Sequence, residues 1–158
     1  MTRLYGWGLT TRRVVDSVPH GHWKTTTFVV AVRREGLFAP MVIDGALNGE
    51  LFVKYVRQEL APRMRSGDIL VLDNLPTHKV KGLPHALAEY DARVLFLPPY
   101  SPDLNPIEQV FSKVKNELRR RRLRTVREVE DAFGQSLDWV TREEVRNYYR
   151  HAGYQSKE

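Results

Sequence analysis

Asp73 closes an apolar run, Ile69-Leu70-Val71-Leu72-Asp73-Asn74, and Glu108 closes a longer stretch, Tyr100-Ser101-Pro102-Asp103-Leu104-Asn105-Pro106-Ile107-Glu108. Thirty-four residues separate the two acids. One stands where a strand should end and the other where a helix should begin. Carboxylates are the hard oxygen ligands that Mg²⁺ accepts while keeping several of its waters. Such ligands serve phosphoryl transfer, in which two ions about 3.5–4 Å apart activate the attacking oxygen and stabilise the leaving one. The pair therefore points to metal-dependent phosphoryl transfer on nucleic acid, and sites of that kind usually take a third carboxylate. Each acid also has a plainer reading. An Asp before Asn starts a turn, and a Glu three residues after an Asn cap can reach back to the cap amide.

The elements that must hold these residues can be read from the pattern. Lys24 to Arg34 is rich in Thr and Val and reads as a strand. Glu35-Gly36 makes a turn, and Phe38 to Ile43 is its antiparallel partner. The Gly- and Arg-rich start allows a short hairpin around Val14-Val15. A helix is expected from about Gly49 to Met64, with Leu51, Phe52, Tyr55, Val56 and Leu60 on one face. Ile69–Leu72 and Val94–Leu97 are all-apolar runs, the pattern of strands buried on both sides. A short helix lies between them at 81–90. Asn105 can cap a helix with Pro106 at its first position. Ile107, Val110, Phe111, Val114 and Leu118 form the buried stripe of that helix. Thr125-Val126-Arg127-Glu128 is a capping box for a further helix, with Val126, Val129, Phe133 and Leu137 inward. Thr141 to Glu144 repeats the signal. Hairpin strands followed by β-α-β alternation give an α/β fold with a mixed sheet and flanking helices.

A chain of 158 residues fits one domain, 1–158, with no linker or repeat to divide it. Charged residues make up 28% and hydrophobic residues 42%, a soluble globular balance. The formal charge of +6 is compatible with a polyanionic partner. No cysteine is present, which excludes disulfides and thiolate metal sites and reads most simply as a reducing cytoplasm. No apolar stretch approaches the roughly 20 residues that span a membrane.

Three segments resemble the DDE transposases of mariner-related bacterial insertion sequences, the six-thirty group. They are Leu72-Asp73-Asn74, His78-Lys79, and Leu97-Pro98-Pro99-Tyr100 through Glu108. The Pro-Tyr-Ser-Pro-Asp-Leu-Asn-Pro-Ile-Glu run is the most specific of these. Tyr5-Gly6-Trp7 and Gly21-His22-Trp23-Lys24 are similar to upstream segments of the family. The resemblance implies a ribonuclease-H-like fold and DNA strand cleavage by water, followed by joining through a 3′-hydroxyl. It implies Asp73 and Glu108 as the second and third acidic metal ligands. The ion would be Mg²⁺, with Mn²⁺ an acceptable substitute by ligand type. The first ligand should be an Asp on the first, central strand, just before the Tyr-Gly-Trp segment. Met1 lies four residues before Tyr5, so that strand, its Asp and the family's helix-turn-helix region are expected to be missing here.

The same resemblance makes Asn74, His78 and Asn105 candidates to orient ligands or contact phosphate. A turn residue, a surface histidine and a helix cap are the ordinary alternatives. Asp16, Asp44 and Asp103 are read as turn or cap residues rather than ligands. His20 and His22 have no partner cluster for a metal. Lys113, Lys115, Arg119, Arg120, Arg121 and Arg122 crowd one helix and its end. Glu108, Ser112, Lys115, Arg119 and Arg122 share its polar face, so the cations extend from the proposed metal site and could track a DNA backbone. The alternative is a solvated face with cations favoured at a helix C-terminus. Implied partners are the element's DNA ends and target, with a homo-oligomer or an upstream transposase half completing the enzyme at the bacterial nucleoid. A second expectation is an inactive fragment, or the downstream half of a split reading frame, that only binds DNA or a transposase subunit.

Overall fold

The computed structural model describes residues 6–9, 13–15 and 25–154. Asp16, His20, His22 and the Gly21–Lys24 segment lie outside the described residues. Val14 and Val15 are described and exposed, without strand pairing.

Strands β1 (Thr26–Arg33) and β2 (Gly36–Asp44) form an antiparallel hairpin. Its two faces go to different cores. Phe28, Val30 and Val32 pack with helices α3 (Pro106–Arg121), α4 (Val126–Gln135) and α5 (Arg142–His151). Val29 and Ala31 pack instead with α1 (Gly49–Tyr55) and α2 (Gly82–Ala88). Successive strand side chains point to opposite faces, and all of these are apolar, so the hairpin is the middle layer of three.

The helix expected over 49–64 is continuous in path but changes winding. After α1 it widens to a π-helix over Val56–Leu60 and tightens to a 3-10 turn over Ala61–Arg63, where Pro62 sits. Phe52, Tyr55, Val56 and Leu60 are buried as the spacing requires. The Tyr55 hydroxyl donates to the Ala39 carbonyl at 2.7 Å, which satisfies a polar group inside the core.

β3 (Ile69–Leu72) and β4 (Arg93–Phe96) form a parallel pair joined through α2. Leu70, Leu72, Val94 and Phe96 meet the α1–α2 core. The opposite face is open, with Ile69 54% and Leu95 53% exposed. Burial on both sides, expected from the unbroken apolar runs, thus holds for one face only. An apolar run reports what a strand can tolerate, while the covering layer is set elsewhere in the chain.

Among the described residues, the strands make two separate two-stranded sheets, β1-β2 and β3-β4, instead of one mixed sheet. Among the described residues each of the four strands, β1 and β3 included, keeps one edge without a partner strand. The two sheets approach at one end, where Arg33 Nη2 of β1 meets Asp68 Oδ2 just before β3 at 2.6 Å. Gly67, at φ +82°, makes the turn into β3, and its amide donates to the Asp91 carbonyl at 2.9 Å.

Candidate metal and nucleic-acid site

β3 and β4 run parallel, so their carboxyl ends lie side by side. The ladder continues past the strands, as the Leu97 amide donates to the Leu72 carbonyl at 2.8 Å. Asp73 and Asn74 follow on one strand and the Pro98-Pro99-Tyr100 turn on the other. The Asn74 side-chain amide donates to the Leu97 carbonyl, closing the two strand ends together. Asn74 therefore secures the mount on which Asp73 stands.

The Asp73 carboxylate is 40% exposed and is held through one of its oxygens. Oδ1 accepts from the Leu75 amide at 3.1 Å, the turn that an Asp at a strand end favours. Oδ1 also lies 2.6 Å from His78 Nδ1. A carboxylate can only accept, so Nδ1 carries the proton and the other ring nitrogen faces away from this bond. His78 is 15% exposed, in the 3-10 turn Pro76–His78, and its ring stands against Phe52 with centroids 4.5 Å apart. It is a held histidine bonded to the acid, not a loose surface one. Asp73 Oδ2 has no hydrogen-bond partner among the described residues.

Glu108 lies in the first turn of α3 and is exposed. Asn105 occupies the cap position with extended backbone, as its place before Pro106 predicts, but its side chain makes no capping hydrogen bond. Neither does the Glu108 carboxylate reach back to the cap. Both polar groups are thus left available, in contrast to α4 and α5, whose Thr125/Glu128 and Thr141/Glu144 capping boxes are complete. No hydrogen bond links Glu108 to Asp73, Asn74 or His78. Among the described residues, no group of three or more His, Cys, Asp or Glu side chains is placed to share one metal ion. Asp44, at the end of β2, and Asp103, in the 3-10 turn Pro102–Leu104, are exposed.

Between the strands and α3, Tyr100 has φ +57° and its side chain is fully exposed (102%). A left-handed backbone at a non-glycine residue is strained, and such strain concentrates at functional turns. Pattern reading did not single out this residue, because φ is fixed by the turn and not by the residue type.

The basic residues of α3 divide into two sets. Lys113 donates to both Glu144 oxygens, at 2.5 and 2.7 Å, and to the Trp139 carbonyl at 2.5 Å. Its ammonium thus ties α3 to α5 and to the turn that precedes α5. Arg120 grips Glu117 through two bonds at 2.8 and 3.0 Å. Arg121 bonds Glu117 at 3.0 Å and lies 4.2 Å over the Trp139 ring. Those two arginines hold the Glu117 carboxyl down at about 2. Lys115 and Arg119 stand on the Glu108 face, and their contacts are weaker: Lys115 is 5.8 Å over Phe111, and Arg119 bonds Asn116 at 3.3 Å. Arg122 is the left-handed cap that ends the helix, at φ +51°.

The described residues thus form a three-layer α/β domain with one acid just past a parallel strand end and another in the first turn of a helix. Residues 1–130 match the family model of the DDE superfamily endonucleases, and the chain belongs to that family. Its fold is the ribonuclease-H-like fold of the mariner transposase catalytic domain. The structure of the Mos1 transposase paired-end complex with the left transposon end aligns with a TM-score of 0.71 at 16% identity, over 94% of this chain and 47% of that one. The Mos1 mariner paired-end complex with Mn aligns at 0.69 and 18%, over 96% and 47%. The isolated catalytic domain of Mos1 mariner transposase aligns at 0.60 and 17%, over 82% of this chain and 74% of that one. In sequence, the human histone-lysine N-methyltransferase SETMAR is 36% identical over 90 residues, 56% of this chain and 13% of that protein. The chain thus spans about half the length of the Mos1 chains in the paired-end complexes and a smaller part of SETMAR.

Proposed function

We propose that this domain cleaves and rejoins DNA phosphodiester bonds with divalent metal, as the catalytic part of an insertion-sequence transposase. The observation that carries this reading is Asp73. One oxygen is fixed by the Leu75 amide and His78, and the other is left open at the end of a parallel strand. Open, hard carboxylate oxygens on Asp73 and Glu108 suit Mg²⁺ or Mn²⁺. A neighbour crystallised with Mn supports this choice. When bound, the metal would supply Lewis-acid activation of water or a 3′-hydroxyl and neutralise charge on the phosphate.

The chain's own residues then have separable tasks. Asp73 and Glu108 would hold the ion, and His78 fixes which Asp73 oxygen is turned away. Asn74 locks the strand ends. Asn105, whose side chain makes no capping bond, would be free to meet a phosphate oxygen. Lys115 and Arg119 continue the face that Glu108 begins and suit a DNA backbone, with Arg122 and the one net charge of the Arg120–Arg121–Glu117 cluster adding field, while Lys113 is neutralised by Glu144. Neighbours solved with transposon ends support DNA as partner. A bacterial cell, at the nucleoid, is the setting this reading expects. Among the described residues no helix is long and apolar enough to cross a membrane.

The free edges of β1 and β3 favour a second reading beside it, in which activity needs a strand from elsewhere. A third carboxylate on such a strand, from an upstream polypeptide or another subunit, would complete the triad. The test is nicking of DNA carrying the element's ends in Mg²⁺ or Mn²⁺, with and without an upstream transposase half. Asp73→Asn and Glu108→Gln should each abolish it. Cleavage that survives both substitutions sinks the site, and cleavage only after mixing establishes complementation.

A further inference from the structure

The last helix carries a second, unassigned connection to the candidate site, and it lies beyond the residues matched by the family model. α5 ends in a paired reversal. The Gly153 amide donates to the Arg150 carbonyl at 3.1 Å, and the Tyr154 amide donates to the Tyr149 carbonyl at 2.9 Å. Gly153 has φ +87°. Two nested bonds closing over a left-handed glycine are the Schellman arrangement, in which the residue after the glycine usually packs back on the last full turn. Here that contact is the edge of one tyrosine ring against another, Tyr154 on Tyr149, with centroids 5.7 Å apart at 66°.

Both hydroxyls end on backbone carbonyls of other elements. Tyr149 Oη donates to the Val32 carbonyl of β1 at 3.0 Å, which anchors the pair on the middle layer. Tyr154 Oη donates to the Leu104 carbonyl at 3.0 Å. Leu104 is the last residue of the 3-10 turn Pro102–Leu104, and Asn105 follows it at the start of α3. That start has no side-chain cap. The turn-and-helix junction runs through the Asn105 amide to the Pro102 carbonyl at 3.0 Å and the Glu108 amide to the Asn105 carbonyl at 3.1 Å. Tyr154 is thus an outside bond on a junction that its own side chains leave unbraced.

We infer that Tyr154 is a positioning residue for Glu108: a Schellman-locked tyrosine that braces the Leu104–Asn105 junction and so sets where the first turn of α3 presents its carboxylate. The inference rests on the metal-site reading of Glu108, and it concerns the site's geometry, not its chemistry. It also assigns a role to the Gly153 conformation, since any other residue at φ +87° would strain the turn that aims Tyr154.

The test compares Tyr154→Phe and Gly153→Ala with the unaltered chain by hydrogen exchange and by Mn²⁺ titration. Loss of one ordinary hydrogen bond should speed exchange in the Ser101–Val110 segment roughly fivefold. Both variants should also weaken Mn²⁺ binding by about three- to tenfold, with Tyr154→Phe melting within a few degrees of the parent. A merely structural contact would move melting and leave Mn²⁺ affinity alone. Unchanged exchange over Ser101–Val110 in Tyr154→Phe overturns the brace, and faster exchange with unchanged Mn²⁺ affinity overturns the positioning role. If the unaltered chain binds Mn²⁺ in a way that Asp73→Asn and Glu108→Gln do not disturb, the metal-site reading fails, and the exchange result alone then decides the brace.

Discussion

At the scale of single residues, the site differs from its surroundings in which polar groups are left open. Most charged side chains on α3 are matched within the fold, while Glu108 and one oxygen of Asp73 are not. The cations show the same contrast. Glu117 is bonded first by Arg120 and then by Arg121, and its carboxyl is lowered to about 2. A carboxylate depressed on folding contributes stability above its unfolded value and loses it as pH falls through the folded one. The Glu117 cluster should therefore persist at neutral pH and come apart only between about pH 4.5 and 2, which carboxyl NMR would follow. Removing the carboxylate at neutral pH has a further consequence. Glu117→Gln frees Arg120 and Arg121, so duplex DNA should bind more tightly, and the log-log salt slope should steepen by about 1–2, close to one counterion per freed cation. Unchanged affinity and slope would show that this end of α3 lies off the DNA path.

At the scale of elements, the hairpin is what joins the two helical clusters. Phe133 of α4 is buried and stacks on Phe28 of β1 with centroids 4.2 Å apart. Phe133→Ala should cost about 3–5 kcal/mol, the usual range for deleting a buried aromatic. Chemical denaturation would measure it, and a loss below about 1 kcal/mol would mean the α4 layer is not part of the cooperative core. The element pattern was legible where local signals are strong. Thr125 and Thr141 open helices with full capping boxes, as their spacing to Glu128 and Glu144 requires. It was less legible where packing decides. Val126, at an expected inward position in the first turn of α4, is 46% exposed, while Phe133, seven residues on along the same face, is buried as expected. Asn105 is at the cap position but does not cap, since sequence fixes who stands at a helix start and not where the side chain turns. Lys113 is read in sequence as one cation of a basic run, yet its partner Glu144 is 31 residues away on another helix.

At the scale of the whole molecule, the described layers differ in how completely they are covered. The β1-β2 hairpin has helices on both faces, and β3-β4 has them on one. Amide protection tracks burial and ladder completeness. The β1-β2 ladder should therefore exchange more slowly than β3-β4 by at least about tenfold, equivalent to about 1.4 kcal/mol of opening free energy. Equal protection would mean the open face is covered in solution. The strand that leads into Asp73 thus belongs to the less enclosed sheet.

The sequence by itself determined the element order, the strand-end and helix-start mounts of Asp73 and Glu108, and the membership signalled by the Pro-Tyr-Ser-Pro-Asp-Leu-Asn-Pro-Ile-Glu run. These are local properties: periodicity, capping spacing and proline placement act within a few residues. Only the tertiary structure decided that His78 is bonded to Asp73, that Lys113 is consumed by Glu144, that the described strands pair as two sheets rather than one, and that Tyr154 reaches Leu104. Each of these depends on where a side chain's distant neighbours come to lie, and hydrogen bonds and burial between elements are set by packing of the whole core, which no single segment encodes.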